Sequence, residues 1–142
     1  MNLRQTTAAS LMTRDVLKIA SDQSLKTAAA LMHAHHVHCL IVPDADETRC
    51  VGIITAKDIV QILCDSEPQL LGQLRVADAL TTPAITVQKD FSVVDCLRLM
   101  RMSGVRSVPV LDGSTLVGLL SFSDVLRVVA TTGEDSDTLG KG

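Results

Sequence analysis

The chain has 142 residues, 46% of them apolar, and a formal net charge of −3, a size at which one compact domain buries roughly 70% of its unfolded surface and needs no staples. Trp and Tyr are absent and Phe occurs twice, so the core must be aliphatic, and with neither base-stacking aromatics nor a basic stripe the composition excludes a general nucleic-acid binder. There is no signal-peptide pattern and no apolar run long enough to span a bilayer, which leads us to expect a cytoplasmic protein that does not enter membranes.

Met1 to Thr7 is polar. Ala8 to Met12 suits a short helical turn and Val16-Leu17-Lys18-Ile19 a short strand. From Ser24 to His35 the apolar residues Leu25, Ala28, Ala29, Leu31 and Met32 fall on one helical stripe, with Asp22 or Ser24 as cap. His38 to Val42 reads as a buried strand stopped by Pro43. Asp44 to Arg49 is a polar loop, and Cys50 to Thr55 is the return strand. Ala56 to Cys64 is a helix with Ile59, Val60, Ile62 and Leu63 inward, broken by Asp65-Ser66-Glu67-Pro68 and followed by a polar linker to Arg75.

The same order then recurs. Arg75 to Leu80 is a helical turn and Ile85-Thr86-Val87 a strand. Ser92 to Ser103 is a helix with Val93, Cys96, Leu97, Leu99 and Met100 inward. Ser107 to Leu111 and Leu116 to Ser121 are strands joined by a tight turn at Asp112-Gly113-Ser114, and Phe122 to Ala130 is a helix. Thr131 to Gly142 is acidic and Gly-rich, with the composition of a disordered tail.

The halves align at a shift of 68 up to the hairpin: Thr13 with Thr81, Ser24 with Ser92, Leu31-Met32 with Leu99-Met100, Val42 with Val110. Beyond it the shift is 66, pairing Gly52 and Asp58 with Gly118 and Asp124. Two copies make an internal duplication rather than a solenoid. We expect an α+β fold of two β-α-β-β-α repeats related by a pseudo-two-fold axis, each with a small sheet packed by helices. The expected boundaries are 8–64 for the first repeat, 65–75 for the linker, 76–130 for the second repeat and 131–142 for the tail.

The four cysteines, Cys39, Cys50, Cys64 and Cys96, form no C-x-x-C pair. They read as reduced thiols acting as small hydrophobes, not as a zinc or disulfide framework.

This order resembles a tandem pair of cystathionine-β-synthase (CBS) domains, a Bateman module. The likeness covers about residues 8 to 130. It is carried by the Met12-Thr13 and Leu80-Thr81 lead-ins, by the proline-bearing strand Val105-Arg106-Ser107-Val108-Pro109-Val110, and by a G-h-h-[ST]-x-x-D stretch in each half. Where Pro109 stands in the second half, Ile41 stands in the first, and its proline comes two residues later at Pro43.

The repeated junctions, Thr55-Ala56-Lys57-Asp58 and Ser121-Phe122-Ser123-Asp124, each fit a helix capping box. Capping alone needs no ligand and contributes roughly 1 kcal/mol per helix. The same geometry also suits a nucleotide. A helix N-terminus offers N–H groups to phosphate, and an aspartate there suits two adjacent ribose hydroxyls. The resemblance implies that Asp58 and Asp124 face ribose, with Thr55 and Ser121 toward phosphate or ribose and the adenine between the halves. Asp124 would then lie near Thr13, Val16 and Leu40, and Asp58 near Thr81, Ala84, Ile85 and Val108, the apolar side chains sandwiching the base. Ser123 adds a second hydroxyl to the second junction, where Lys57 stands in the first, so the second is the favoured site.

His33, His35, His36 and His38 are matched by Arg101, Ser103, Gly104 and Arg106. A metal site is the sharp reading. Retained basic character is the bland one, with His38 and Arg106 toward a ligand phosphate and His36, like Gly104, ending a helix at positive φ. No nucleophile, P-loop or paired carboxylate stands out, so no enzyme is expected. The sequence thus points to a regulatory sensor, without a cofactor, binding AMP, ADP, ATP or a related adenosyl compound between its repeats. It would pair as a homodimer through the exposed faces of Ala56–Cys64 and Phe122–Ala130 and act on an effector protein. The alternatives are a ligand-free oligomerisation scaffold and a metal or redox sensor using the histidines and Cys39.

Overall fold

The structure, a computed structural model, describes residues 2–131. The tail from residue 132 onward lies outside the described residues. In chain order the elements are α1 (Ala8–Leu11), α2 (Leu25–His35), β1 (Cys39–Pro43), β2 (Cys50–Thr55), α3 (Ala56–Asp65), β3 (Val87–Gln88), α4 (Val93–Ser103), β4 (Ser107–Asp112), β5 (Thr115–Ser121) and α5 (Phe122–Thr131). Two 3-10 turns, Pro68–Gly72 and Val76–Asp78, occupy the connection between α3 and β3; the first falls where the sequence reads only as linker.

Local chemistry sets the helix ends. Ser24, Thr55 and Ser92 each accept a hydrogen bond from the backbone N–H three residues on, at 3.0, 3.1 and 3.1 Å, satisfying donors that a helix start leaves open. α2 and α4 end on left-handed residues, His36 at φ 54° and Gly104 at φ 72°, as their alignment leads one to expect.

The chain divides into two compact units. Val16–Ala84 forms the first. The second joins the N-terminal lead-in, through Asp15, to the chain from Ile85 onward. The lead-in of the first repeat is therefore structurally part of the second unit, and the connection through Ala84 belongs to the first. In the first unit the connection bridges the start of α2 at Ser24–Arg75, with Val76 N donating to the Gln23 carbonyl at 2.8 Å. In the second, Thr7 bridges Ser92, and Ala8 N donates to the Phe91 carbonyl at 2.8 Å.

Each unit is a small sheet packed by helices. β1 pairs antiparallel with β2, and β4 with β5, and both pairs break register at the same aligned place, after Val42 and after Val110. β3 runs parallel to β4. Its counterpart, expected as a strand over Val16–Ile19, makes a single parallel bridge, Lys18 to Ile41. That bridge uses the Ile41 N–H, which donates to the Leu17 carbonyl at 3.0 Å. The aligned residue Pro109 has no N–H to give. Pairing in the second unit accordingly begins one step later, Val87 to Val110, and β3 covers Val87–Gln88 rather than Ile85–Val87.

Each unit has its own aliphatic core. Leu25, Leu40, Val42 and Ile54 centre the first, and Val93, Met100, Val108 and Leu120 the second. On α3 the inward face is narrower than its sequence indicates. Ile59 is buried, but Val60, about 100° around the helix from it, and Leu63, one turn further on, are exposed. α5 likewise turns Leu126 and Val129 outward.

Candidate functional site

Both junctions form where an apolar strand delivers a hydroxyl residue to a helix start. In the first unit Thr55 closes β2. Its N–H donates to Asp58 Oδ2 at 2.8 Å, and its hydroxyl accepts from Asp58 N, a complete capping box. The Ala56 N–H goes to the His38 carbonyl at 2.7 Å. Among the described residues no hydrogen bond reaches Asp58 Oδ1. Lys57 is exposed and Asp58 half-buried.

In the second unit Ser121 closes β5, and its N–H donates to Asp124 Oδ2 at 2.8 Å. Here the carboxylate gathers three more donors. The Ser121 hydroxyl reaches Oδ2 at 2.9 Å, and Oδ1 accepts from the Thr13 hydroxyl at 2.8 Å and from Arg127 at 3.2 Å. Asp124 is 3% exposed, the one buried charged residue among the described residues. A buried carboxylate demands such partners.

The lead-ins lie flat on the strands that end at these junctions. Thr13 and Leu119 exchange both backbone hydrogen bonds, at 2.8 and 2.9 Å, and Thr81 and Ile53 do the same at 2.8 and 3.1 Å. Glycine permits this approach. A Cβ on Gly118 would stand 2.5 Å from Met12 Sδ, and one on Gly52 2.6 Å from the Thr81 carbonyl oxygen. The hydroxyls then diverge. Thr13 reaches Asp124, whereas in the first unit it is Thr82 that bonds, to the Val51 carbonyl at 2.8 Å, and Thr81 stays exposed.

The sequence-expected residues therefore separate by unit. Val16, His38, Leu40, Thr55, Lys57, Asp58, Thr81 and Ala84 are in the first, and Thr13, Ile85, Arg106, Val108, Ser121, Ser123 and Asp124 in the second. Leu40 and Val108 are 0% exposed and packed in the cores, so they can offer a ligand their strand backbone but not a side-chain surface. Ile85, His38 and Arg106 are exposed. Arg127 escaped sequence analysis. Its signal was the i,i+3 spacing from Asp124, and its aligned residue is Gln61, which carries no charge.

The histidines line a groove of about 400 Å3 between α2 and α3, where His33, His36 and His38 rim an apolar floor that includes Met32, Ala56 and Ile59. Its counterpart, about 330 Å3, has Arg98 and Arg101 beside Leu97 and Phe122. Among the described residues no group of three or more His, Cys, Asp or Glu is placed to hold a metal. None of the four cysteines is in a disulfide. Cys96 is buried as expected, and burial pushes its thiol up to about 11, while Cys64 is exposed.

Comparison with known proteins bears on this geometry. The CBS domain family matches residues 8–65 and 76–131. The chain belongs to the CBS domain family. A relative, uncharacterized protein MJ1404 of Methanocaldococcus jannaschii, is 30% identical over 139 residues, covering 90% of this chain and 33% of that protein, so the chain spans a third of the relative's length. Among solved structures, the CBS domain pair of protein MJ0100 in complex with 5′-methylthioadenosine and S-adenosyl-L-methionine superposes with a TM-score of 0.77 at 24% identity, covering 88% of this chain and 96% of that one. CBSX2 in complex with AMP superposes at 0.75 with 23% identity, covering 88% and 96%. These two likenesses establish the CBS-pair fold. No helix among the described residues is long and apolar enough to cross a membrane.

Proposed function

We propose that this CBS pair is a regulatory module that binds an adenosine ligand, AMP, ADP, ATP or a related adenosyl compound, and passes its occupancy to an effector protein in the cytoplasm. The observation that carries the reading is the first junction. There a half-buried Asp58 keeps one carboxylate oxygen that no hydrogen bond among the described residues reaches, beside the exposed Lys57. A vicinal ribose diol supplies the two donors such a carboxylate lacks, and Lys57 and Thr55 suit the phosphate. Thr81, whose backbone pairs with Ile53 on the strand that leads into this junction, and Ala84 lie in the same unit. Val16, in the same unit, is assigned to the base. His38, exposed in the same unit, is assigned to phosphate. The adenosine ligands of the MJ0100 pair and of CBSX2 support the choice of ligand class. Signalling then requires that the ligand favour one arrangement of the module over another. A homodimer through the outward faces of α3 and α5 completes the proposal, supported by Val60 at 55% and Leu126 at 66% exposure.

The test exploits the composition. Without Trp or Tyr the chain absorbs almost nothing at 280 nm, so a co-purified adenine nucleotide dominates the spectrum at 260 nm. A protein with no such band, and no thermal shift from a nucleotide panel, removes the reading. One observation favours a second reading, a ligand-free scaffold: capping of α3 and α5 by itself accounts for both hydroxyl–aspartate pairs. Asp58→Ala separates the two. A sensor loses nucleotide affinity with a small loss of stability, and a scaffold loses only the stability.

A further inference from the structure

We infer that the two junctions have taken different tasks: the Asp58 junction binds the adenosine ligand, one per chain, while Asp124 is a clasp that fastens the N-terminal lead-in to the second repeat. This rests on the sensor reading above and assigns its site. A carboxylate binds a ribose diol by accepting two hydrogen bonds, so it needs free lone pairs facing the ligand. Asp124 has none to spare. Ser121 N–H, Ser121 hydroxyl, Thr13 hydroxyl and Arg127 guanidinium already supply four donors to its two oxygens. A ligand would have to displace Thr13 and Arg127 from a carboxylate that is 3% exposed, and breaking charge-assisted bonds to a buried ion is costly. Asp58 presents the opposite state: Thr55 N–H occupies one oxygen, the other is unengaged, and the residue aligned with Arg127 is the neutral Gln61.

The clasp has a mechanical meaning. The lead-in reaches the second unit across the whole of the first in sequence, 111 residues from Asp124. The backbone exchange between Thr13 and Leu119 positions it, and Asp124 adds the side-chain bond that holds α1 against α5 and β5.

The experiment is isothermal titration of the full chain with AMP, ADP, ATP and S-adenosylmethionine in turn, alongside thermal unfolding, for the wild type, Asp58→Asn, Asp124→Asn and Thr13→Val. The expected result is one site per wild-type chain for at least one of the four. Asp58→Asn should weaken it at least tenfold with Tm nearly unchanged. Asp124→Asn and Thr13→Val should keep one site per chain and lower Tm by several degrees. Thr13→Val keeps the backbone bridge, so it reports on the clasp even where Asp124→Asn does not fold. Two sites per wild-type chain, or a site lost in Asp124→Asn and kept in Asp58→Asn, overturns the division of tasks and leaves the sensor reading standing. No binding of any of the four to the wild type overturns the sensor reading, and the division with it.

Discussion

Thr13 and Thr81 hold the same place against aligned strands, each exchanging two backbone hydrogen bonds with it, yet only the Thr13 hydroxyl reaches an aspartate. The duplication preserved the backbone device and let the side chains drift. Asp124 is buried and meets four donors, Arg127 among them. Asp58, with Gln61 in the place of Arg127 one turn on, has one oxygen that no hydrogen bond among the described residues reaches. Repeated motifs therefore fix where a junction lies, and residues outside the motif set how many donors its carboxylate meets.

The largest expected effects test whether the two cores are as equivalent as their backbones. Ile54 and Leu120 are aligned and both 0% exposed. Ile54→Ala and Leu120→Ala should each cost about 2–5 kcal/mol, read as a shift of the denaturation midpoint. A loss confined to one of them would show that one unit folds without a tightly packed centre. Next come the glycines. A Cβ at position 52 meets a backbone carbonyl at 2.6 Å, whereas at 118 the carbonyl is 3.0 Å away and the nearer atoms belong to the flexible Met12. Gly52→Ala should therefore cost more than Gly118→Ala, about 1–3 kcal/mol against a smaller loss. Equal losses would mean that the first lead-in yields as readily as a methionine side chain.

Smaller again is the contrast between the carboxylates themselves. Asp124→Ala leaves the Ser121 N–H and the Thr13 and Ser121 hydroxyls without their acceptor in a buried site, a loss of about 1–3 kcal/mol. Asp58→Ala removes one half of a part-buried cap, about 1 kcal/mol. Paired chemical denaturation of the two variants measures the difference, and a reversed order would contradict the clasp.

Much of this was legible in the chain. The duplication, the helix caps at Ser24, Thr55 and Ser92 and the left-handed His36 opposite Gly104 are local matters of residue type and spacing. What escaped depended on tertiary partners. The outward turn of Val60 and Leu63 follows from how much of α3 meets its core, which apolar spacing does not report. The later start of β3 follows from Pro109 on the neighbouring strand. The partners of Asp124 include Arg127 and a threonine 111 residues away, a distance over which pattern carries no information.

The hairpin ends offer the gentlest contrast. In the tight turn of the second unit Asp112 pairs with Lys89 at 3.1 Å on the surface. In the longer loop of the first, Asp44 Oδ1 accepts from the Arg49 and Thr48 N–H groups at 3.1 and 3.0 Å, and these bonds, that from Arg49 foremost, hold its carboxyl below the usual 3.8. A carboxyl depressed in the folded state favours folding fully above the unfolded-state value, and that contribution is lost as pH falls through the folded one. Between neutral pH and pH 5 the Thr48 and Arg49 amide resonances should stay fixed. Below pH 4 they should move together as the loop's bonds release, and Asp44→Asn should abolish the transition. Amides that titrate near pH 5 or above would show that the loop does not close on Asp44, and the first hairpin would then be held by its strands alone, like the second.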